Sequence, residues 1–272
     1  MRHLWFLLLI SIVLTAPVFA YDDLLDFGTH SSGLAESDIA MPSPGMSITA
    51  NPAFFFPEQR LSTSFHYCNH YGIAGLNSNL ANIRYSSRGF GLGFEYAGFG
   101  SSGKYMESEF ALAAGGRIYR RFQLGLALKL LQLDIGEYKG YARQTSINLA
   151  TGYCGETFGA AAVVSDLRLS AKNIGEDELE KLYLVAISYR IEKLTGLHLC
   201  YAVRGPNRWV SIGQSIDLSR MVSVQLGIKS DPVVPAFGLS IGKDYFEIEY
   251  SYRYHSVLGG THRAGLVINY NP

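Results

Sequence analysis

Charge is scarce in this chain and has no net sign. Lysine and arginine total 23, aspartate and glutamate 23, and together they are 17% of 272 residues, against roughly a quarter in an ordinary soluble domain. That balance excludes a strong pull toward nucleic acid or an acidic surface, so no nucleic-acid partner is expected. Cysteine is nearly absent too. Cys68, Cys154 and Cys200 are odd in number and sit at no motif spacing, which excludes a disulfide framework. Beyond residue 20, no stretch approaches the roughly 18 apolar residues of a membrane helix. Tryptophan occurs twice, whereas tyrosine occurs 18 times and glycine 29 times. Glycine weakens helices and tyrosine prefers strands, so the mixture points to a sheet protein with many turns.

The single long apolar run is at the start. Arg2 and His3 precede Leu4 to Leu14, and Ala16, Pro17 and Val18-Phe19-Ala20 follow with small residues where a signal peptidase cuts. Residues 1–20 are therefore expected to be an export signal cleaved after Ala20, since the run is short for a bilayer span. No cysteine follows that site, which argues against a lipoprotein anchor. Residues 21–60 carry Asp22, Asp23, Asp26, Glu36 and Asp38, then Pro42, Pro44, Pro52 and Pro57. No period of 2 or 3.6 holds there for long, so they read as a turn-rich segment broken by Phe54-Phe55-Phe56.

From Leu61 the period becomes 2. Phe90, Leu92, Phe94 and Tyr96 alternate with Gly89, Gly91, Gly93 and Glu95; Leu124 to Leu130 alternate with Gln123, Gly125, Ala127 and Lys129. Near the end Phe246, Ile248, Tyr250, Tyr252 and Tyr254 face away from Glu247, Glu249, Ser251, Arg253 and His255. The pattern predicts about fourteen strands of roughly 8–12 residues, a length that crosses a bilayer when tilted. Short turns, such as Arg120-Arg121, alternate with longer connections at 70–77, 98–104, 135–141, 166–181 and 256–261. A soluble sandwich also alternates. Against it, one face is apolar in nearly every strand, the other is mostly small residues, and tyrosines gather near strand ends at Tyr85, Tyr96, Tyr153, Tyr189, Tyr254 and Tyr270. The expected fold is all-β: a transmembrane antiparallel barrel of about 14 strands over 61–272, in contact with outer-membrane lipid.

Three short elements resemble a known family. Asn51-Pro52-Ala53, just before the first strand, resembles the Asn-Pro-Ala element in the N-terminal hatch of FadL-like outer-membrane proteins. Asn173-Ile174-Gly175 resembles an element of the PorV-like branch. So does the ending Leu258-Gly259-Gly260-Thr261-His262-Arg263 with the strand that follows it. The resemblance implies a fourteen-stranded barrel in the bacterial outer membrane with residues 21–60 as an internal plug. Asn51, Pro52, Ala53, Phe54, Phe55 and Phe56 are then the plug and ligand contacts. Small inward residues on two strands, Gly89, Gly91 and Gly93, and Gly238, Ser240 and Gly242, would let another backbone come close. Gly91, Gly93, Glu95, Glu247, Glu249 and Arg253 are expected to face the lumen.

Catalytic and metal chemistry find little support. His66, Cys68 and His70 share one strand face at i, i+2 and i+4, a weak candidate for Zn²⁺ or copper without an obvious fourth ligand. Glu247, Glu249, Arg253 and His255 would meet Glu107 and Glu109 only if closure brought them together; ion pairing in a lumen is the simpler expectation. His255 beside Ser256 lacks an acid partner and an oxyanion element. No enzyme activity, metal or cofactor is expected. Two functions remain open: binding or transport of a hydrophobic small molecule, or a PorV-like component that binds secretion-system proteins through its outer loops and transports nothing.

Overall fold

The computed structural model describes residues 27–41, 43–55, 60–101, 105–136, 140–172, 180–192, 194–243 and 245–270. The expected export signal, Phe56 and Asn173-Ile174-Gly175 lie outside the described residues. Fourteen strands form where the period is 2. They are β1 (Arg60–Asn69), β2 (Asn77–Ser87), β3 (Phe90–Ser101), β4 (Tyr105–Tyr119), β5 (Phe122–Ile135), β6 (Gly140–Cys154) and β7 (Phe158–Lys172), then β8 (Leu182–Ile191), β9 (Thr195–Arg204), β10 (Asn207–Asp217), β11 (Val222–Ser230), β12 (Val233–Lys243), β13 (Phe246–His255) and β14 (Gly259–Tyr270). Each pairs antiparallel with the next. β14 returns to β1 in a register from Leu61 opposite Tyr270 to Asn69 opposite His262, which closes the barrel.

Alternation fixes what each face meets. On β1, Phe65 and Tyr67 are each 52% exposed, while Ser62, Ser64, His66 and Cys68 are buried. On β5, Leu124, Leu126 and Leu128 point out, and Gln123, Ala127 and Lys129 are buried. An apolar outer surface on this scale suits lipid and not water. Tyr85, Tyr189, Tyr254 and Tyr270 are exposed near strand ends, whereas Tyr96 and Tyr153 lean on Phe110 and Phe122.

In an empty barrel the inward side chains would be open to solvent. They are buried because residues 27–55 fill the lumen. This segment contains a single helical turn, α1 (Thr29–Gly33), and a 3-10 turn (Asp38–Ala40). α1 lies against β11 to β14, and the 3-10 turn against β6 to β9.

Short turns gather at one end of the barrel and most longer connections at the other, as the spacing predicts. The strands on one side are longer than expected. Residues 98–101, 140–141 and 166–172 are strand, not loop, and β4 to β7 reach 14 or 15 residues. Pairing persists there because each extension meets another, as in Phe99 with Glu107 and Gln132 with Arg143. The β6–β7 register shifts near Ser146, and opposite it Asp166 takes a positive φ of 63°. Among the described residues, β7 pairs with β8 only as far as Ser165 opposite Leu182.

Gly89 does not occupy an inward strand position. It forms the β2–β3 turn with Arg88, at φ values of 81° and 53°. Two successive positive φ angles match the twist of a tight hairpin, and a side chain tolerates them poorly. Arg88→Asn should therefore raise stability in urea refolding by up to about 1 kcal/mol, and Gly89→Ala should lower it by roughly 1–2 kcal/mol.

Candidate functional site: the occupied lumen

The Asn-Pro-Ala element is seated directly on the wall. Asn51 folds it: its Oδ1 accepts from the Ala53 N–H at 3.1 Å, and its Nδ2 donates to the Ile39 carbonyl at 2.8 Å. Pro52 then presses its carbonyl on the wall. A Cβ built on Gly115 or Gly125 would fall 2.1 or 2.0 Å from the Pro52 oxygen. Phe55 lies over Gly91, where an added Cβ would meet the ring at 2.0 Å, and Phe54 lies against Gly152. Across the lumen, Gly227 and Gly213 receive Leu34 and Ser37, and Gly238 touches Gly33.

Polar wall residues answer the segment's backbone. Glu95 accepts from Ser47 Oγ at 2.7 Å, the Ile48 N–H at 2.8 Å and Thr49 Oγ1 at 3.1 Å. Glu249 accepts from the His30 N–H at 3.2 Å, and Asn148 donates to the Thr49 carbonyl at 2.9 Å. Arg84 donates to the Met46 carbonyl. Arg253 Nη1 pairs with Glu36 Oε1 at 2.6 Å.

Gly91, Gly93, Glu95, Glu247, Glu249 and Arg253 all face the lumen; Gly93 meets Ile48, and Glu247 sits two residues from Glu249 on the same face of β13. Asn51 to Phe55 are buried within it. Glu107 and Glu109 do not join Glu247 and Glu249, because β4 and β13 are five strands apart around the wall. Glu109 instead meets Lys129 Nζ at 2.7 Å.

His66 and Cys68 share the inward face of β1 and the buried His70 follows its end, but the three do not form a metal centre. A strand advances about 3.3 Å per residue, so the two imidazoles are roughly 13 Å apart along it. His66 Nδ1 accepts from the Thr29 N–H at 3.2 Å and its Nε2 reaches the Gly45 carbonyl at 2.9 Å, while His70 Nε2 meets Ser78 Oγ at 3.0 Å. Among the described residues no group of three metal-ligating side chains converges.

Two features escape sequence reasoning. The first is an apolar sector of the lumen, where Leu182, Leu184 and Trp209 pack with Phe27, Ile39 and Phe54. The run Leu182-Tyr183-Leu184-Val185-Ala186-Ile187 carries its signal, since Leu182, Leu184 and Ala186 make the inward face apolar and buried while Tyr183, Val185 and Ile187 join the apolar exterior. The second is an ionic chain in which Asp166 takes Lys129 at 2.9 Å and Arg204 at 3.3 Å. These residues are 37 and 38 positions apart, and no local pattern links them.

No protein-family model and no curated protein matches the chain. Solved structures do resemble it. The CymD monoaromatic hydrocarbon channel superposes with a TM-score of 0.61 at 8% identity, over 92% of this chain and 97% of that one. The Ralstonia pickettii toluene transporter TbuX gives 0.63 at 10% identity, over 91% and 98%. A Pseudomonas aeruginosa FadL homologue gives 0.62 at 8% identity, over 91% and 99%. The fold is that of the FadL-type barrels. The likeness extends to nearly the whole FadL-type chain in each case, so it includes the barrel as a unit and not one hairpin.

Inside the lumen, His30 and Asp38 form a titratable pair. Their Nδ1 and Oδ2 are 3.4 Å apart. Burial alone pushes the His30 imidazole down, but the Asp38 carboxylate, with Glu249 and Glu247 beyond it, outweighs burial and lifts the pKa to about 9. His30 in turn overcomes the burial of Asp38 and holds its carboxyl below the ordinary range. A histidine whose folded pKa is raised stabilises the fold fully below its unfolded value of about 6.5, and that contribution is lost as pH rises through the folded value. Protease resistance of residues 27–55 should therefore fall as pH rises from about 6.5 through about 9, and His30→Gln should flatten the change. A second test uses the wall. Gly125→Val should make residues 27–55 protease-sensitive even at pH 6, while the barrel retains its β-sheet circular dichroism.

Proposed function

We propose that the chain is a bacterial outer-membrane channel for a hydrophobic small molecule, with residues 21–60 as its plug. The observation that carries this reading is the lumen itself: a closed barrel whose glycine-lined wall receives an irregular N-terminal segment. An apolar exterior supports a membrane setting. The names of the structural neighbours, a monoaromatic hydrocarbon channel and a toluene transporter, support a hydrophobic cargo.

The cargo enters at the end with the longer loops and passes by displacing the plug. Contacts between glycine and backbone favour such movement, because no wall side chain interlocks with the Pro52 carbonyl. Phe54 and Phe55 supply apolar contact at the plug surface, and Asn51, Pro52 and Ala53 hold their turn. Leu182, Leu184 and Trp209 continue the apolar surface on the wall. Nothing in this reading requires bond chemistry, a cofactor or a metal.

The PorV-like alternative rests partly on the closing hairpin. Leu258 to Tyr270 form the β13–β14 turn and the strand that seals the barrel, a structural duty common to both readings. The filled lumen has a direct use only in the channel, so the channel is favoured.

Reconstituted protein should carry toluene into liposomes, and a variant lacking 21–60 should add an ion conductance that the intact protein lacks. Absence of toluene binding, with toluene entry and conductance the same in the two proteins, would reject the proposal. Recovery of a stoichiometric secretion partner from membranes would then favour the alternative.

A further inference from the structure

The mouth at the long-loop end carries a second group of polar side chains, among them Arg253, whose Nη1 pairs with Glu36 of the lumen segment. His70, Tyr71, Arg253, His255, Thr261 and Arg263 surround a partly enclosed cavity of about 10 Å³, enough for one water-sized group. Among the described residues no carboxylate lines it.

The neighbouring turn sets which ring nitrogen of His255 accepts. The residue is 2% exposed, and its Nδ1 accepts from the backbone N–H groups of Val257 at 3.2 Å and Leu258 at 3.1 Å. A neutral imidazole that accepts at Nδ1 carries its proton on Nε2. That N–H lies on the opposite side of the ring, is buried and has no hydrogen-bond partner. The buried Tyr71 hydroxyl has none either. Its ring meets His255 edge-on with centroids 6.2 Å apart. The Tyr71 backbone is held in a left-handed conformation, φ 57°, and its N–H donates to Thr261 Oγ1 at 3.3 Å.

The lining thus offers two unmet donors beside two guanidinium groups and no carboxylate of its own, the nearby Glu36 being engaged by Arg253 Nη1. A water molecule would accept from the donors but would also bring two protons toward the cations. An anion brings none, and hydrogen bonds to a charged acceptor are stronger than those to a neutral one. We infer that this cavity is an anion site and that it takes one oxygen of a carboxylate. A carboxylate can seat one oxygen in so small a space and leave the rest of its molecule at the mouth. The carboxylate can belong to a small free acid or to the head of a hydrophobic molecule. The site does not depend on the channel reading.

The test is equilibrium binding to the full chain in non-ionic detergent, with sodium acetate, sodium benzoate and benzyl alcohol as probes. Both carboxylates should bind the wild-type protein, and benzoate should bind more tightly than benzyl alcohol. Tyr71→Phe removes a single oxygen and should weaken both carboxylates about tenfold, the loss of one hydrogen bond to a charged group, with benzyl alcohol unchanged. His255→Phe, which removes the Nε2 donor, is the second variant and should do the same. Benzoate binding no tighter than benzyl alcohol overturns the site, as does carboxylate binding that neither variant changes. Benzyl alcohol bound equally well as benzoate would overturn the site yet leave the hydrophobic channel standing. Acetate bound where benzyl alcohol is not would support the site and count against the channel.

Discussion

An irregular segment enclosed in a barrel must find partners for its backbone, because little water is left to supply them. Residues 27–55 have one turn of α-helix and one 3-10 turn, so most of their N–H and C=O groups lack internal partners. The wall provides several. Glu95 takes the Ile48 N–H, Glu249 the His30 N–H, and His66 the Thr29 N–H, while Asn148 and Arg84 donate to carbonyls. This requirement explains why charged and amide side chains stand on the inward faces of strands that are otherwise small or apolar. It also explains why those side chains are buried without being a catalytic cluster.

The wall meets the segment in three chemically different ways. Polar side chains bind it at fixed points, and glycines let it lie close without binding it. The carbonyl of Pro52 against Gly115 and Gly125 is the clearest contact of the second kind. Apolar side chains make the third kind of contact, with Phe27, Ile39 and Phe54 packed against Leu182, Leu184 and Trp209. Ion pairs such as Arg253 with Glu36, and His30 with Asp38, set the strength of the polar hold.

Much of this was legible before any coordinates. Period 2 assigned Phe94 and Leu126 to the outside, and Gly91, Glu95 and Arg253 to the inside. Asn51-Pro52-Ala53 marked the segment that the wall grips. Period, however, identifies a face and not a partner. Lys129 and Asp166 meet across β6, where Lys129 stands opposite Ser146 and Asp166 lies in the adjoining β6–β7 register shift, an offset that no window of residues contains. The strands on one side of the barrel run longer than the period suggests because pairing continues through glycine-rich and charged stretches such as Gly98-Phe99-Gly100-Ser101 and Asp166-Leu167-Arg168, which resemble loop. Gly89 was misplaced for a related reason: a glycine that needs positive φ and one that leaves room for a neighbour look alike in a sequence.

The seam between the first and last strands has a consequence for how the molecule assembles. His66 on β1 grips Thr29 and Gly45, and Glu249 on β13, next to β14, grips His30, 219 positions away in the chain. Contacts so distant form only after most of the chain has been made and arranged. Sealing the cylinder and seating its occupant therefore draw on the same final encounter. The N-terminal segment acts as a mandrel at the joint, and a chain that loses its grip there should close more slowly as well as stand more open.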